Sequence, residues 1–362
     1  MTSSLSTNRK DDHLRYALDQ QKTRKNNSFD DVRFVHHSLG RLHIHQIDLS
    51  TQWAGKKHSL PFYINAMTGG SPKTKSYNQH LAQVAASTGL TMAVGSISAA
   101  LKDPQVADSF TIIRQMNPQG FILANLGAHH DLENAKRAVD LVQADALQIH
   151  LNTAQEVVMP EGDRDFSNWK ENIQKIVDDL GLPVIVKEVG FGMSQETLQE
   201  LKELGVQTVD LGGRGGTNFV QIENQRNDQL DFSSLTNWGQ TSVEALLESL
   251  NFQDQINILA SGGIRDFLDI VKALALGAKS CGIAGKFLHS VDQLGVDATV
   301  DWVGDWASAL KRTLLLLSCQ SIEDLRKTDL ILSGESYHWA TARQLDVNAL
   351  AQRSRKSETF KT

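Results

Sequence analysis

The stretch ALQIHLNTAQE, residues 146–156, decides how the chain folds. A short apolar run breaks off into His150, Asn152, Gln155 and Glu156 within a few residues. A run of this kind reads as a strand buried on both faces, which is the habit of parallel sheets covered by helices. Polar and ionisable groups crowded where such a strand meets its loop mark the end of the sheet on which ligands are handled.

The same arrangement recurs along the chain. Apolar runs stand at 62–67, 91–96, 121–126, 146–151, 183–189, 206–211, 256–261 and 279–285. Between them lie amphipathic segments such as NAKRAVDLVQ and SQETLQELKELG, with apolar residues at three- and four-residue steps. Eight such units fit a (β/α)8 TIM barrel, whereas strand counting alone leaves a doubly wound open sheet as a rival. The polar residues gather after the strand ends, as they do on the loop face of a barrel, and this favours the barrel. The expected organisation is an N-terminal arm and barrel-closing strands over 1–60, the barrel over 61–318, and a C-terminal helix with a polar tail over 319–362. Within the first segment, RLHIHQIDLS is expected to form a small strand or hairpin under the barrel. The run TLLLLSC from Thr313 is too short to cross a bilayer and reads as the buried face of a late helix. AQRSRKSETFKT is expected to be a mobile end.

Composition narrows the function. The chain has 362 residues, 40% hydrophobic and 22% charged, enough to bury a core without metal or disulfide staples. Thirty-six basic against 42 acidic residues leave a formal charge of −6, which argues against a general nucleic-acid surface but not against a small anion. Cys281 and Cys319 are the two cysteines, so a reducing, cytoplasmic setting is expected. The opening MTSSLSTNRKDDHLRYALDQ has no apolar core of a signal peptide, and no membrane partner is expected.

Glycines collect where a phosphate would be cradled. DLGGRGGTNF follows the sixth run, with Gly212 and the hydroxyl of Thr217. ASGGIRDF carries Gly262 and Gly263 after the seventh, and GIAGKFL carries Ala284 and Gly285 after the eighth. Backbone amides of such loops can converge on phosphate oxygens, and barrels commonly build a phosphate site from the last two loops. Asn65, Ala66, Met67 and Thr68 of NAMTGG, Ser96, Asn125 and Lys187 surround the expected mouth. Together they suit a flat polar ring such as a flavin. Lys187 also has a plainer reading, an ion pair inside the barrel with Glu188 or Asp210.

RKDDHL, NAMTGG, the Gly-Ser after the second run, ANLG, HLNTAQE, KEVGFGMS, GGRGGTNF, IEN and ASGGIR occur in this order. In them the chain resembles the type 2, flavin-dependent isopentenyl-diphosphate isomerases, from about Asn8 to Leu288. The resemblance implies interconversion of isopentenyl and dimethylallyl diphosphate by allylic proton transfer, with reduced FMN, Mg2+ and NADPH or another donor as reductant. It implies that Arg9 and Lys10 bind the diphosphate with His150, Asn152 and Gln155, and that Glu156 bridges to it through Mg2+. Gln155 lies near the reacting carbons, and His150 and Lys187 complete the implied catalytic group. Ala66, Met67, Thr68, Ser96, Asn125, Lys187, Gly212, Thr217, Gly262, Gly263, Ala284 and Gly285 would hold FMN. A homo-oligomer of four or eight chains also follows from the resemblance.

Two departures bear on the site. Ile97 and Ser98 stand where many relatives have a glutamine and an arginine, with Lys102 a candidate to compensate, and Gly212 replaces a serine of some relatives. Other readings compete. An FMN-dependent oxidoreductase of the 2-hydroxy-acid or inosine-monophosphate dehydrogenase type would share the barrel. However, LGGRGG lacks the histidine of the first, and neither cysteine suits the second. A non-catalytic flavin scaffold would leave Arg9, Lys10, Gln155 and Glu156 idle. His43 and His45 have a spacing seen in metal sites but no evident third ligand. At GAHHDLEN, Asp131 is expected to start a helix.

Overall fold

The structure is a computed structural model that describes residues 2–21, 27–67, 69–227 and 229–356. Twelve strands occur in it: β1 (Val32–Phe34), β2 (Thr51–Trp53), β3 (Lys56–His58), β4 (Phe62–Ile64), β5 (Met92–Ala93), β6 (Ile122–Gly127), β7 (Ala146–Leu151), β8 (Val184–Glu188), β9 (Thr208–Asp210), β10 (Asn257–Ser261), β11 (Ser280–Ile283) and β12 (Leu330–Leu332). β4 to β11 pair in sequence order, all parallel, and β11 closes back on β4. This is the (β/α)8 barrel, and each of its strands falls on one of the eight apolar runs, β6 extending one residue beyond its run to Gly127.

Two apolar layers hold it. Outside the strands, side chains such as Ile64, Met92, Ile149, Val186 and Val209 pack against the surrounding helices. Inside, Trp53, Tyr63, Ala93, Phe121, Leu123, Ala146, Ile185 and Leu259 fill the barrel, so it is a packed core and not a channel. The helix Leu132–Val142 begins where Asp131 accepts a hydrogen bond from the Asn134 amide, as expected of that residue. The helix Gln195–Glu203 is capped by Ser194 in the same way.

The bottom of the barrel is closed by a hairpin, though not by the segment expected. Ile44–Gln46 is a single 3-10 turn, because the His43 ring accepts from the His45 amide and Gln46 reaches back to the His43 amide. The plug is the β2–β3 hairpin, which turns through Ala54 and Gly55 at positive φ and drives Trp53 into the barrel. His58 stacks on Trp53 with ring centroids 4.1 Å apart, and its Nδ1 meets the Thr91 hydroxyl at 2.9 Å.

The C-terminal part is more tightly tied than its composition suggests. β12 pairs antiparallel with β1, joining residues some 300 positions apart in a contact no local pattern announces. The Arg343 guanidinium meets the buried Glu248 carboxylate at 2.8 Å. Within the segment expected to be mobile, Arg353 donates to the Ala275 carbonyl and Ser354 to the buried Asp329. Cys319 lies just past the helix Gly295–Leu316 rather than inside it.

Candidate active site

One chamber opens at the C-terminal ends of the barrel strands. Of the residues singled out from sequence, Arg9, Lys10, Ala66, Met67, Ser96, Asn125, His150, Asn152, Gln155, Glu156, Lys187, Gly212, Thr217, Gly262, Gly263, Ala284 and Gly285 all line it. Thr68 lies outside the described residues. The parallel register explains much of the convergence: His150, Lys187 and Asp210 are direct partners across β7, β8 and β9.

The floor is polar and continuous. The Lys187 ammonium donates to the Glu188 carbonyl at 2.7 Å and stands 3.8 Å from Asp210. The plainer reading of Lys187 is present, because its side chain pairs with Asp210, and the residue also lines the chamber. Burial pushes the His150 pKa well below its ordinary value, and the Lys187 charge adds to this, so the ring is neutral.

Across the mouth from β7, the loops after β10 and β11 bring paired glycines and a helix start to the chamber wall. Gly262 and Gly263 have φ of +96° and +76°, where L side chains are strained. A Cβ on Gly262 would run into the Gly213 carbonyl. Arg265 braces this loop by binding Asp30 at 2.6 Å and Asp269 at 2.9 Å, and Asn27 donates to the Gly263 carbonyl. The helix Gly285–Gln293 begins at Ala284 without a side-chain cap, so its first amides are left for a ligand. These features fit the phosphate of a flavin nucleotide.

The roof is the N-terminal helix Thr2–Gln21. Polar sequence alone gives this segment no reason to settle, but tertiary contacts hold it. Asp11 accepts from Ser71, His13 meets Glu223 at 2.8 Å, and Gln20 bonds Asn218 and Gln221. Arg9 meets Glu161 at 3.4 Å, while its Nε is buried with no hydrogen-bond partner. Burial lowers the Lys10 pKa to about 8, and the neighbouring Arg9 charge pushes the same way.

Between roof and floor lies the carboxylate end. Glu156, 8% exposed, accepts from Asn152 Nδ2 at 2.7 Å and from the Asp163 amide at 2.8 Å. Asn152 Oδ1 is buried and unpartnered. Among the described residues no three His, Cys, Asp or Glu side chains could together hold a metal, and this applies to His43 and His45, whose rings simply stack. A hard cation at Glu156 would thus take most of its ligands from water and phosphate, which is the preference of Mg2+.

Sequence reasoning passed over the partner of Gln155. Glu223 is fully buried, and its Oε1 accepts from Gln155 at 2.8 Å and meets His13. Burial pushes its pKa up, but the bonds from His13 and Gln155 and the Arg226 charge outweigh this and hold it at about 2. The signal was the IEN motif, whose glutamate falls on the inner face of the helix Phe219–Arg226. At the departures, Ile97 is buried in the outer core, Ser98 meets His130 Nε2 at 2.7 Å, and Lys102 lines the chamber.

A profile described as FMN-dependent dehydrogenase matches residues 9–116 and 105–332. The isopentenyl-diphosphate delta-isomerase of Staphylococcus epidermidis is 48% identical over 348 residues, covering 96% of this chain and 99% of that protein. Its counterpart from Latilactobacillus sakei is 49% identical over 95% of this chain and 98% of its own, and that from Staphylococcus aureus is 46% identical over 94% and 97%. Among solved structures, a mutant flavocytochrome b2 with pyruvate bound superposes with a TM-score of 0.62 at 21% identity, covering 86% of this chain and 77% of its own. A mandelate oxidase mutant with an FMN adduct gives 0.58 at 18% identity, covering 84% and 90%. At such identities the likeness is one of fold.

Proposed function

Because the chain belongs to the FMN-dependent dehydrogenase family and, within it, to the isopentenyl-diphosphate delta-isomerases, we infer that it interconverts isopentenyl and dimethylallyl diphosphate by 1,3-allylic proton transfer with reduced FMN, in isoprenoid biosynthesis. The observation that carries this is identity spread over nearly the whole of both chains.

The reaction adds a proton at one carbon and removes one from another, with no net redox change. Reduced FMN supplies an electron-rich face that stabilises positive charge developing on the alkene. The chain's own residues supply position and charge. Arg9, by its planar fork, and Lys10, as a point charge, clamp the diphosphate from the roof. Glu156, held by Asn152 and the Asp163 amide, would hold Mg2+, which would supply positive charge to the diphosphate. Gln155, fixed by Glu223, stands beside the reacting carbons with His150. Lys187, on the chamber wall, would stabilise negative charge on the reduced flavin through its ammonium. Ala66, Met67, Ser96, Asn125, Gly212 and Thr217 would hold the flavin. Gly262, Gly263, Ala284 and Gly285 would take its phosphate. NADPH as reductant, a cytoplasmic location and an assembly of four or eight chains belong to the same reading. Nucleic acid has no part in it, and no described helix is long and apolar enough to cross a membrane.

An FMN-dependent oxidoreductase would use the same barrel. Against it, Leu211 stands where a 2-hydroxy-acid enzyme has its histidine. Both cysteines are buried, and burial pushes both thiols up, Cys319 to about 12, so neither is a ready nucleophile. The deciding assay supplies reduced FMN and Mg2+ and follows dimethylallyl diphosphate from isopentenyl diphosphate. Many turnovers per reductant consumed are expected. Product formation matched one-to-one by reductant oxidation would identify the oxidoreductase.

A further inference from the structure

Beneath the chamber floor a file of polar side chains crosses the barrel. The Asp210 carboxylate is fully buried and accepts from Asn65 Nδ2 at 2.8 Å, from the Tyr63 hydroxyl at 2.9 Å and from the Ser261 hydroxyl at 2.6 Å. Asn65 Oδ1 accepts from Gln148 Nε2 at 3.4 Å, Gln148 Oε1 accepts from Asn125 Nδ2 at 3.4 Å, and Asn125 Oδ1 meets His150 Nδ1 at 2.7 Å. Gly282 on β11 makes room for the file, because a Cβ there would strike Asn65 and Tyr63.

The direction of this file is not free. A carboxylate only accepts and a backbone amide only donates. Asn65 sits between the two: its NH2 must face Asp210, and its oxygen must face the Ala66 amide 2.8 Å away. That oxygen requires the NH2 end of Gln148. The Tyr63 oxygen, whose proton is already given to Asp210, takes a hydrogen bond from Gln148 as well. Gln148 therefore turns its oxygen to Asn125, and Asn125 turns its oxygen to His150. Each link leaves the next one orientation.

We propose that Asp210, acting through Asn65, Gln148 and Asn125 as positioning residues, fixes His150 as the tautomer protonated on Nδ1, so that Nε2 faces the chamber as a bare lone pair. The charged and titratable groups facing the ring are Lys187 from β8, His129 and His130 from the loop after β6, and Lys10 from the roof. None is an anion that would draw a second proton onto the ring. A fully ionised phosphate oxygen is repelled from Nε2, and the ligand atom seated there is a donor, either a water or a protonated oxygen. This last step takes its ligand from the function proposed above; the tautomer does not depend on it.

The test is 15N NMR of the ligand-free chain labelled in its histidines, with the His150 ring signals assigned by their loss in His150→Gln. The expected result is a protonated Nδ1 and an unprotonated Nε2. A proton on Nε2 overturns the proposal, and this result needs no other variant. Gln148→Met cuts the file at its middle without changing charge, and is expected to release a mixture of tautomers. An unchanged single tautomer in that variant overturns the role of the relay. A chain with the expected tautomer but no isomerase activity would refute the function and leave this inference standing.

Discussion

Replacing Lys10 by methionine is expected to make the protein sturdier and a poorer enzyme. Burial brings this lysine from 10.5 to about 8, which corresponds to about 3 kcal/mol of disfavour for the ammonium in the folded state. Below pH 8 the lysine is charged both folded and unfolded, so the full cost stands. Between pH 8 and 10.5 the folded protein sheds the proton first, and the cost fades. Methionine fills similar space without charge, so Lys10→Met gains up to about 3 kcal/mol at neutral pH, a figure already net of the attraction to Glu223. The gain is local, because Lys10 sits on the N-terminal helix, and it is read as slower hydrogen exchange across residues 2–21. The same change removes a charge-assisted contact worth roughly 1.5–3 kcal/mol, so KM rises roughly ten- to a hundredfold. In the parent protein kcat/KM falls as pH rises through about 8, and in the variant that fall disappears. Unaltered helix protection together with an unaltered KM would refute this account of the buried lysine.

Glu156→Gln keeps one acceptor oxygen for the Asn152 or Asp163 donor and removes the hard anionic oxygen. The Mg2+ needed for half-maximal turnover should rise at least roughly tenfold while the bound-flavin spectrum stays the same. Equal magnesium dependence would remove the metal from this residue. Gly262→Ala forces a Cβ against the Gly213 carbonyl at a positive φ and should weaken FMN binding by roughly 1–3 kcal/mol, measured by flavin fluorescence titration. His58 predicts acid sensitivity. Burial brings its pKa from 6.5 to about 4, so its contribution is complete above pH 6.5 and is lost as pH falls toward 4, by up to about 3 kcal/mol. Denaturant midpoints at pH 7 and 4.5 should draw together in His58→Gln.

The strands and the glycine loops were legible because each is written in a local pattern. Apolar runs such as FILANL can only be buried, and paired glycines such as Gly262 and Gly263 tolerate a backbone that other residues resist. The N-terminal arm was tied to the site only through family likeness, and its helical form was not expected. Its polar face has no reason to order until Glu223, Asn218 and Ser71 come within reach. Glu223 had no role assigned from sequence, and it became the anchor of Gln155 only when the segments after β7 and β9 converged. The bottom plug was placed too early because His43 and Ile44 alternate like a strand, whereas a reciprocal cap closed them into a turn.

By itself the sequence determined the eightfold alternation, the end of the barrel that bears chemistry and the residue types available there, since periodicity and glycine placement act over a few residues. Tertiary structure alone decided which of those residues meet. Only barrel closure brings β9 beside β10 and β11 beside β4, so that Asp210, Asn65 and Ser261 form one buried network. Only the docking of the first helix seals the chamber. Such contacts join groups 50 to 200 residues apart, and their energies depend on burial and mutual orientation, which no local stretch of chain contains.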